Sequence, residues 1–418
     1  LKLDLARKMN FRHYDPQKDK KATHRMWQEV GWVGNSIEGK QAVDAFLEGS
    51  RALVAEINGE AECLANAMPG VIRYLDEDLP LSAVTAVLTS RIARRQGLAK
   101  RLTAQLIAAD ATEGALVSGL GMFEQGFYNQ LGYGTGPYEH WFKFDPAQLN
   151  VTHKARIPRR LTAEDWPGIH AAMLARYRQH GGINIHSPEL IRAELAWVEN
   201  GFGLGYNDGP NDELSHFFWG ETEGEHGPFT ILFIGYQNQT QFLELMALLK
   251  NLGDQVRQVK LREPGGIQLQ DLLDRPLRYY WLMKPGEFEN GAYAIAYWQL
   301  RICDLPGCLT RTHLLGDEVQ FNLNLTDPIE NYLDKDSPWS GISGHYVVTL
   351  GPSSTAKVGR DASLPTLFAS VGAFTRLWMG VRPATGLSAT DELSGQAELL
   401  KKLDRVLCLP QPKVDWEF

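Results

Sequence analysis

The chain is short of three things that would narrow its class at once: cysteine, long apolar runs and surplus positive charge. Its four cysteines (Cys63, Cys303, Cys308, Cys408) are scattered through 418 residues, and only Cys303 and Cys308 are close, bracketing Asp304-Leu-Pro-Gly307. No second ligand pair accompanies them, so they read as structural thiols rather than a disulfide framework or a zinc site, and no metal is expected. No apolar run approaches the roughly 20 residues that span a bilayer, and the polar stretch Leu1 to Lys21 lacks a signal-peptide core. A cytoplasmic location without a membrane partner is the expectation. With 42 basic against 50 acidic residues the formal charge is −8, which leaves no basic footprint for a nucleic acid. That balance suits a cationic small-molecule or peptide partner.

What is present is length and repeated α/β patterning. A chain of 418 residues exceeds one ordinary core, and two to three domains are expected. The first, residues 1–150, opens with a strand over Phe11 to Tyr14 and helical stretches including Trp27 to Trp32 and Gln41 to Gly49. Ala52 to Ile57 and Glu62 to Ala67 flank Asn58-Gly59, a hairpin signal. A long strand, Leu81 to Thr89, a basic loop, a helix and the strand Ala115 to Gly121 come next.

The second stretch, residues 151–290, repeats this layout. Thr162-Ala-Glu-Asp165 is a capping box, and the apolar strand Phe229 to Gly235 leads into a helix over Phe242 to Leu252 and a strand over Val256 to Leu261. The third, residues 291–418, begins after Lys284-Pro-Gly286. It shows strands over Tyr293 to Ile302, Val319 to Leu325, Tyr346 to Leu350 and Thr355 to Gly359, then helices over Leu364 to Met379 and Asp391 to Val406. The apolar stripe Leu367, Phe368, Val371, Phe374, Trp378 reads as core on a helix, with a lipid cavity as the alternative.

The chemistry concentrates where the long strand ends. Arg94-x-x-Gly97-x-Ala99 opens a helix whose buried stripe is Leu98, Leu102 and Leu106. A helix N-terminus offers unpaired N–H groups and a partial positive charge; Gly97 and Ala99 permit close backbone approach, while Arg94, Arg95 and Lys100 add charge. These residues suit a pyrophosphate, with a solvated basic helix start as the other reading of the motif alone. The matching loop of the second stretch, Tyr236-Gln-Asn-Gln-Thr240, has neither glycine nor arginine, so that half is expected to keep its packing and lack the cofactor.

Beyond the next strand stands Glu124-x-Gly-x-Tyr128-x-x-Leu-Gly-Tyr-Gly134. With Arg94, Gly97 and Ala99, this segment resembles the GNAT acetyltransferases, and more narrowly the Eis (enhanced intracellular survival) branch, over nearly the whole chain. The resemblance implies tandem GNAT domains of mixed α/β sheets followed by a sterol-carrier-protein-like domain. It implies acetyl-CoA as co-substrate, held by Val87, Leu88, Thr89, Arg94, Arg95, Gln96, Gly97, Leu98, Ala99, Lys100, Phe123 and Glu124. Acetyl would pass directly to a primary amine of the aminoglycoside, polyamine or lysine type, within a homo-oligomer that is hexameric in the branch. Tyr128 matches the branch's general acid, and a phenol of pKa near 10 is suited to protonating a departing thiolate. Tyr133, in Gly-Tyr-Gly, reads as turn and packing.

The branch uses its terminal carboxylate as the base, here that of Phe418 in Asp415-Trp-Glu-Phe418. Trp27, Glu29 and Trp32 correspond in position to a wall of the acceptor pocket, with packing as the other role for the tryptophans. Two departures bear on this: Arg94-Arg-Gln96 where relatives carry three arginines, and Phe123 where they carry a small polar residue. The alternative from another class is a non-catalytic acyl-CoA sensor or lipid carrier.

Overall fold

The computed structural model describes residues 9–274 and 289–417. The Lys284–Gly286 break and Phe418 lie outside them. The first stretch runs β1 (Met9–His13), α1 (Pro16–Glu29), α2 (Ile37–Leu47), β2 (Arg51–Ile57), β3 (Glu60–Tyr74), β4 (Glu77–Thr89), α3 (Leu98–Thr112), β5 (Val117–Gly121), β6 (Gly134–Thr135) and β7 (Glu139–Phe144). Next come β8 (Arg159–Leu161), α4 (Trp166–Ala175), β9 (Ile183–Ile185), α5 (Pro188–Trp197), β10 (Gly201–Tyr206), β11 (His216–Thr222), β12 (Phe229–Gly235), α6 (Gln239–Asn251) and β13 (Val259–Arg262). The third stretch holds β14 (Gly291–Ile295), β15 (Trp298–Ile302), α7 (Leu305–Thr310) and β16 (Val319–Thr326). It continues with β17 (Gly344–Leu350), β18 (Thr355–Val358), β19 (Thr366–Ser370), α8 (Val371–Trp378), α9 (Ala384–Thr390), β20 (Leu393–Gly395) and α10 (Ala397–Val406).

Local chemistry explains several of these boundaries. Asn58 and Gly59 both take positive φ (54° and 93°), as a tight hairpin turn between β2 and β3 requires. Asp15 caps α1 by accepting from the Gln17 N–H, with Pro16 in the first turn, and Thr162 and Asp165 form the reciprocal box ahead of α4.

Among the described residues the strands form three sheets. The first is ordered β1-β2-β3-β4-β5-β15-β6 with β9 on the edge of β3, the second β14-β7-β13-β12-β11-β10-β8, the third β18-β17-β16-β19-β20. The chain therefore trades strands: β7, from the first stretch, pairs antiparallel with β13, and β15, from the third, pairs antiparallel with β5. Each of the first two sheets is completed by sequence distant from it.

Both completed sheets share one feature. In the first, β4 and β5 pair in parallel only from Leu81↔Val117 to Val84↔Leu120, and Thr85, the residue after that, is extra in the pairing of β4 with β3. In the second, β12 and β13 pair in parallel only from Phe229↔Val259 to Ile231↔Leu261, and Leu232 is the extra residue against β11. A bulge just past the last paired residue bends one strand away from its neighbour. Two strands hydrogen-bonded at one end and splayed at the other result, twice.

Three expectations change. Tyr293 to Ile302 is two strands in two different sheets, parted at Ala296-Tyr297. Leu364 to Met379 is a strand and then a helix. Leu367 is fully buried while Phe368 is half exposed, the alternation of a strand, because this segment pairs in parallel with β16 before Ser370 caps α8. Asp391 to Val406 likewise begins with β20, on the edge of β19, before α10. Short apolar runs do not separate these cases by periodicity; the partner strand decides.

The third sheet's helix α8 packs against the first sheet. Tyr74 stacks on Trp378 at 4.4 Å, and Thr375 Oγ1 accepts from the Ile302 N–H at 3.1 Å. Arg301 and Asp327, both fully buried, pair at 2.6 Å, and Arg301 also donates to the Leu131 carbonyl. That bond fixes the short turn Tyr128–Leu131, so a buried ion pair from the third stretch holds the candidate catalytic turn of the first. No helix among the described residues is long and apolar enough to cross a membrane.

Candidate active site

Where β4 and β5 part, the edge of β4 beyond Val84 has no strand partner on the β5 side among the described residues. A groove of about 780 Å³ opens there, within the range of small-molecule sites. Its lining includes Val87, Leu88 and Thr89 from β4, residues 94–100 from the loop and α3, and Phe123 and Glu124 after β5. All twelve residues assigned to the cofactor from sequence thus border one space.

The loop is built to meet an anion. Arg95 and Gly97 take left-handed φ (61° and 75°), and Gly97, at the cap of α3, leaves that helix without a side-chain cap. The first-turn N–H groups are therefore available to a ligand rather than satisfied internally. A non-glycine residue at positive φ, as at Arg95, is a strained state that recurs at binding sites. Arg94 and Arg95 are exposed where they line the groove. Lys100 is differently engaged: its ammonium bonds Gln130 Oε1 and lies 5.5 Å from the Phe127 ring, which ties α3 to the Tyr128 turn.

Tyr128 sits behind that groove, buried, at the centre of an aromatic group. Phe127, Phe123 and Tyr133 pack on its ring at 4.9, 5.8 and 6.0 Å. Its hydroxyl has no hydrogen-bond partner among the described residues. Burial raises its pKa well above 10, with Tyr297 and Cys63 adding to the effect, so the phenol stays protonated. Tyr133 has a different setting: its hydroxyl bonds Ser118 Oγ at 2.7 Å inside the core.

Of the three acceptor-wall candidates, Trp27 is fully buried against Phe46, whereas Trp32 is half exposed and lines the groove. Glu29 Oε2 accepts from the Arg91 N–H at 2.7 Å, joining the end of α1 to the loop after β4. Phe418 lies outside the described residues; before it Trp416 is fully buried, and Asp415 and Glu417 are half-buried.

Sequence reasoning missed a set of groups gathered around Tyr297, whose charge bears on Tyr128. Tyr297 passes over Gly121, where a Cβ would stand 2.5 Å from its ring, and its carbonyl accepts from the Met122 N–H at 2.9 Å. Burial raises its phenol, and then the charges of Glu417, Glu139 and Glu194 raise it further. Glu139 is buried, paired with Arg262 at 3.2 Å and bonded by the Trp298 indole. Glu194, half buried but ringed by protein, is pushed up to about 8 by burial and then by Glu417. Tyr128, Tyr297 and three carboxyl groups from separate stretches share one electrostatic neighbourhood, and no local motif announces it.

Elsewhere, Asp208, His216 and Glu244 bring potential metal-ligand atoms within 4.8 Å of one another. Arg156 already bridges Asp208 and Glu244 at 2.6 and 2.8 Å, so the cation serving these carboxylates is a guanidinium.

Residues 15–136 match the family described as "Acetyltransferase (GNAT) domain". A search of curated proteins gave no match. Among solved structures the chain is similar to a GCN5-related N-acetyltransferase from Anabaena variabilis (15% identity, TM-score 0.77, 98% of this chain and 100% of that one). It is also similar to Eis1 from Mycobacterium abscessus (16%, 0.73, 98% and 100%) and to a GCN5-related N-acetyltransferase from Kribbella flavida (17%, 0.73, 99% and 99%). The fold is shared end to end, and residues 15–136 form a GNAT acetyltransferase domain.

Proposed function

We propose that the chain moves acetyl from acetyl-CoA directly to a primary amine, without a covalent enzyme intermediate. GNAT domains use acetyl-CoA as donor. One observation carries the reading: the β4 residues beyond Val84 and the uncapped start of α3 line one groove, and Tyr128 packs directly behind it on Phe123 and Phe127, which line it too.

In this reading the diphosphate rests on the N–H groups of residues 97–100 with Arg94 and Arg95 beside it, and the pantetheine arm pairs with Val87, Leu88 and Thr89 as an added strand edge. Backbone N–H groups aimed at the carbonyl oxygen stabilise the tetrahedral intermediate by several kcal/mol. A neutral amine attacks the carbonyl carbon, the C–S bond breaks, and the sulfur takes its proton from Tyr128. The raised phenol stays protonated at pH 7, and the apolar surroundings that raise it also destabilise the departing thiolate, which makes the sulfur a stronger acceptor for the phenol's proton.

The carboxyl groups near Tyr297 favour an acceptor that arrives as a cation, such as an aminoglycoside, a polyamine or a lysine side chain. The proposed proton acceptor is the carboxylate of Phe418. A homo-oligomeric assembly and a sterol-carrier-like role for the third sheet belong to the same proposal; Leu367, Val371, Phe374 and Trp378 are core there.

The test is a thiol-release assay with acetyl-CoA and a panel of amines. Free CoA appearing only when enzyme, donor and amine are together supports transfer. Lipid retained with no CoA released for any amine supports the carrier.

A further inference from the structure

The second half repeats the splay of the first, and it is filled by the chain itself. Between β12 and β13 only about 50 Å³ remains, far below the volume of a small-molecule site. Lys413, Val414 and Asp415 border that remnant together with residues of both strands. We propose that this degenerate cleft is a clamp for residues 412–417, in which Arg176 is the positioning residue that sets Glu417 on the acceptor side of the first half's site. The consequence for turnover rests on the acetyl-transfer reading above; the clamp does not.

The grip is specific. Arg176, with a side chain only 3% exposed, donates from Nε and Nη2 to the Asp415 carboxylate at 3.1 and 2.6 Å. The Ile183 N–H donates to the same carboxylate at 3.0 Å. A forked guanidinium on a carboxylate fixes orientation as well as distance. Arg176 also lies 5.2 Å from the Trp416 ring, which is fully buried. The Lys413 N–H donates to the His180 carbonyl at 2.8 Å. Gly181 (φ +89°) passes so close that a Cβ there would stand 2.6 Å from the Lys413 nitrogen, so the segment's path is written into a glycine of the second half.

Beyond the clamp, Arg262 at the end of β13 takes Glu417 at 3.1 Å while also holding Glu139. Glu417 is thereby placed where its charge reaches both Tyr297 and Glu194. In the first half the splay receives a ligand; in the second the same geometry receives six residues of polypeptide and points the last of them at that ligand's partner.

The experiment uses the full chain carrying Asp415→Ala, with Arg176→Lys as the conservative second variant. Hydrogen exchange of amides 413–417 should quicken by about tenfold or more in Asp415→Ala and by less in Arg176→Lys, while the rest of the second half keeps its protection. Acetyl-CoA Kd should stay within about twofold, whereas the amine KM rises about tenfold and the pH profile of kcat/KM shifts, a split that general loosening of the fold would not give. Unchanged exchange overturns the clamp. Quickened exchange with unaltered amine KM, kcat and pH profile overturns the positioning role. Were the wild-type chain to release no CoA with any amine, acetyl transfer would fail, and the exchange data would still decide the clamp.

Discussion

The two halves carry the same device and put it to opposite ends. Thr85 and Leu232 are extra residues at the same point of β4 and β12, and each opens a cleft toward the parallel neighbour. One cleft stays open at about 780 Å³; the other is closed to about 50 Å³ by the chain. The difference lies less in the sheet than in the loop and helix start that succeed it. After β4 come Arg94, Arg95 and Gly97, with α3 left uncapped; after β12 comes Asn238, whose side chain caps α6 by accepting from the Gln241 N–H. An internally capped helix start has spent the groups an anion would use. Loss of a site can thus be read from a cap gained as well as from an arginine lost.

Substitutions in either half test whether the open cleft alone does the chemistry. Tyr128→Phe should lower kcat by about 10²- to 10⁴-fold with acetyl-CoA Kd unchanged, as read by steady-state kinetics and calorimetry. Unchanged turnover would remove the acid assignment. Arg301→Leu, which leaves Asp327 buried and unpaired, should cost about 3–5 kcal/mol of stability in urea unfolding. Gly97→Ala places a Cβ at φ +75°, a strain of about 1–2 kcal/mol, and should weaken acetyl-CoA binding by roughly tenfold, while Thr240→Ala in the first turn of α6 leaves it unaltered.

The smallest effects are in pH dependence, and the two carboxyl groups concerned should differ in sign. Glu194 ionises near 8 in the folded chain against 4.5 ordinarily. Its contribution is present at low pH and is lost as pH rises from about 4.5 to about 8. Glu194→Gln should flatten thermal stability across that window. Glu244, held down to about 2 chiefly by the Arg156 hydrogen bond, contributes above 4.5 and loses that contribution as pH falls toward 2. Glu244→Gln should remove that acid-side slope and leave the alkaline one.

Much of the first half was legible because its signals are local. Asn58-Gly59 set a turn, Arg94 to Lys100 set a loop and a helix start, and the resemblance of the segment from Glu124 to Gly134 marked Tyr128, whose turn Lys100 ties to that helix. The illegible part was assembled from a distance. Nothing around Glu139 tells that its strand leaves the first sheet, or around Tyr297 that the next strand returns to it. Glu194 acquires its raised pKa only through its enclosure and the charge of Glu417. The same limit applies to Leu364 to Met379, since Leu367 and Phe368 look helical until β16 lies alongside. The departure at Phe123 was visible in sequence, but its packing on Tyr128 was not.

The central claim is that the chain has one working acyl-CoA cleft, that of the first half. Calorimetric titration of acetyl-CoA into the intact protein tests it most directly. The account predicts one site per chain, weakened by Gly97→Ala and untouched by Asp415→Ala. Two sites per chain, or one site indifferent to Gly97, would contradict it.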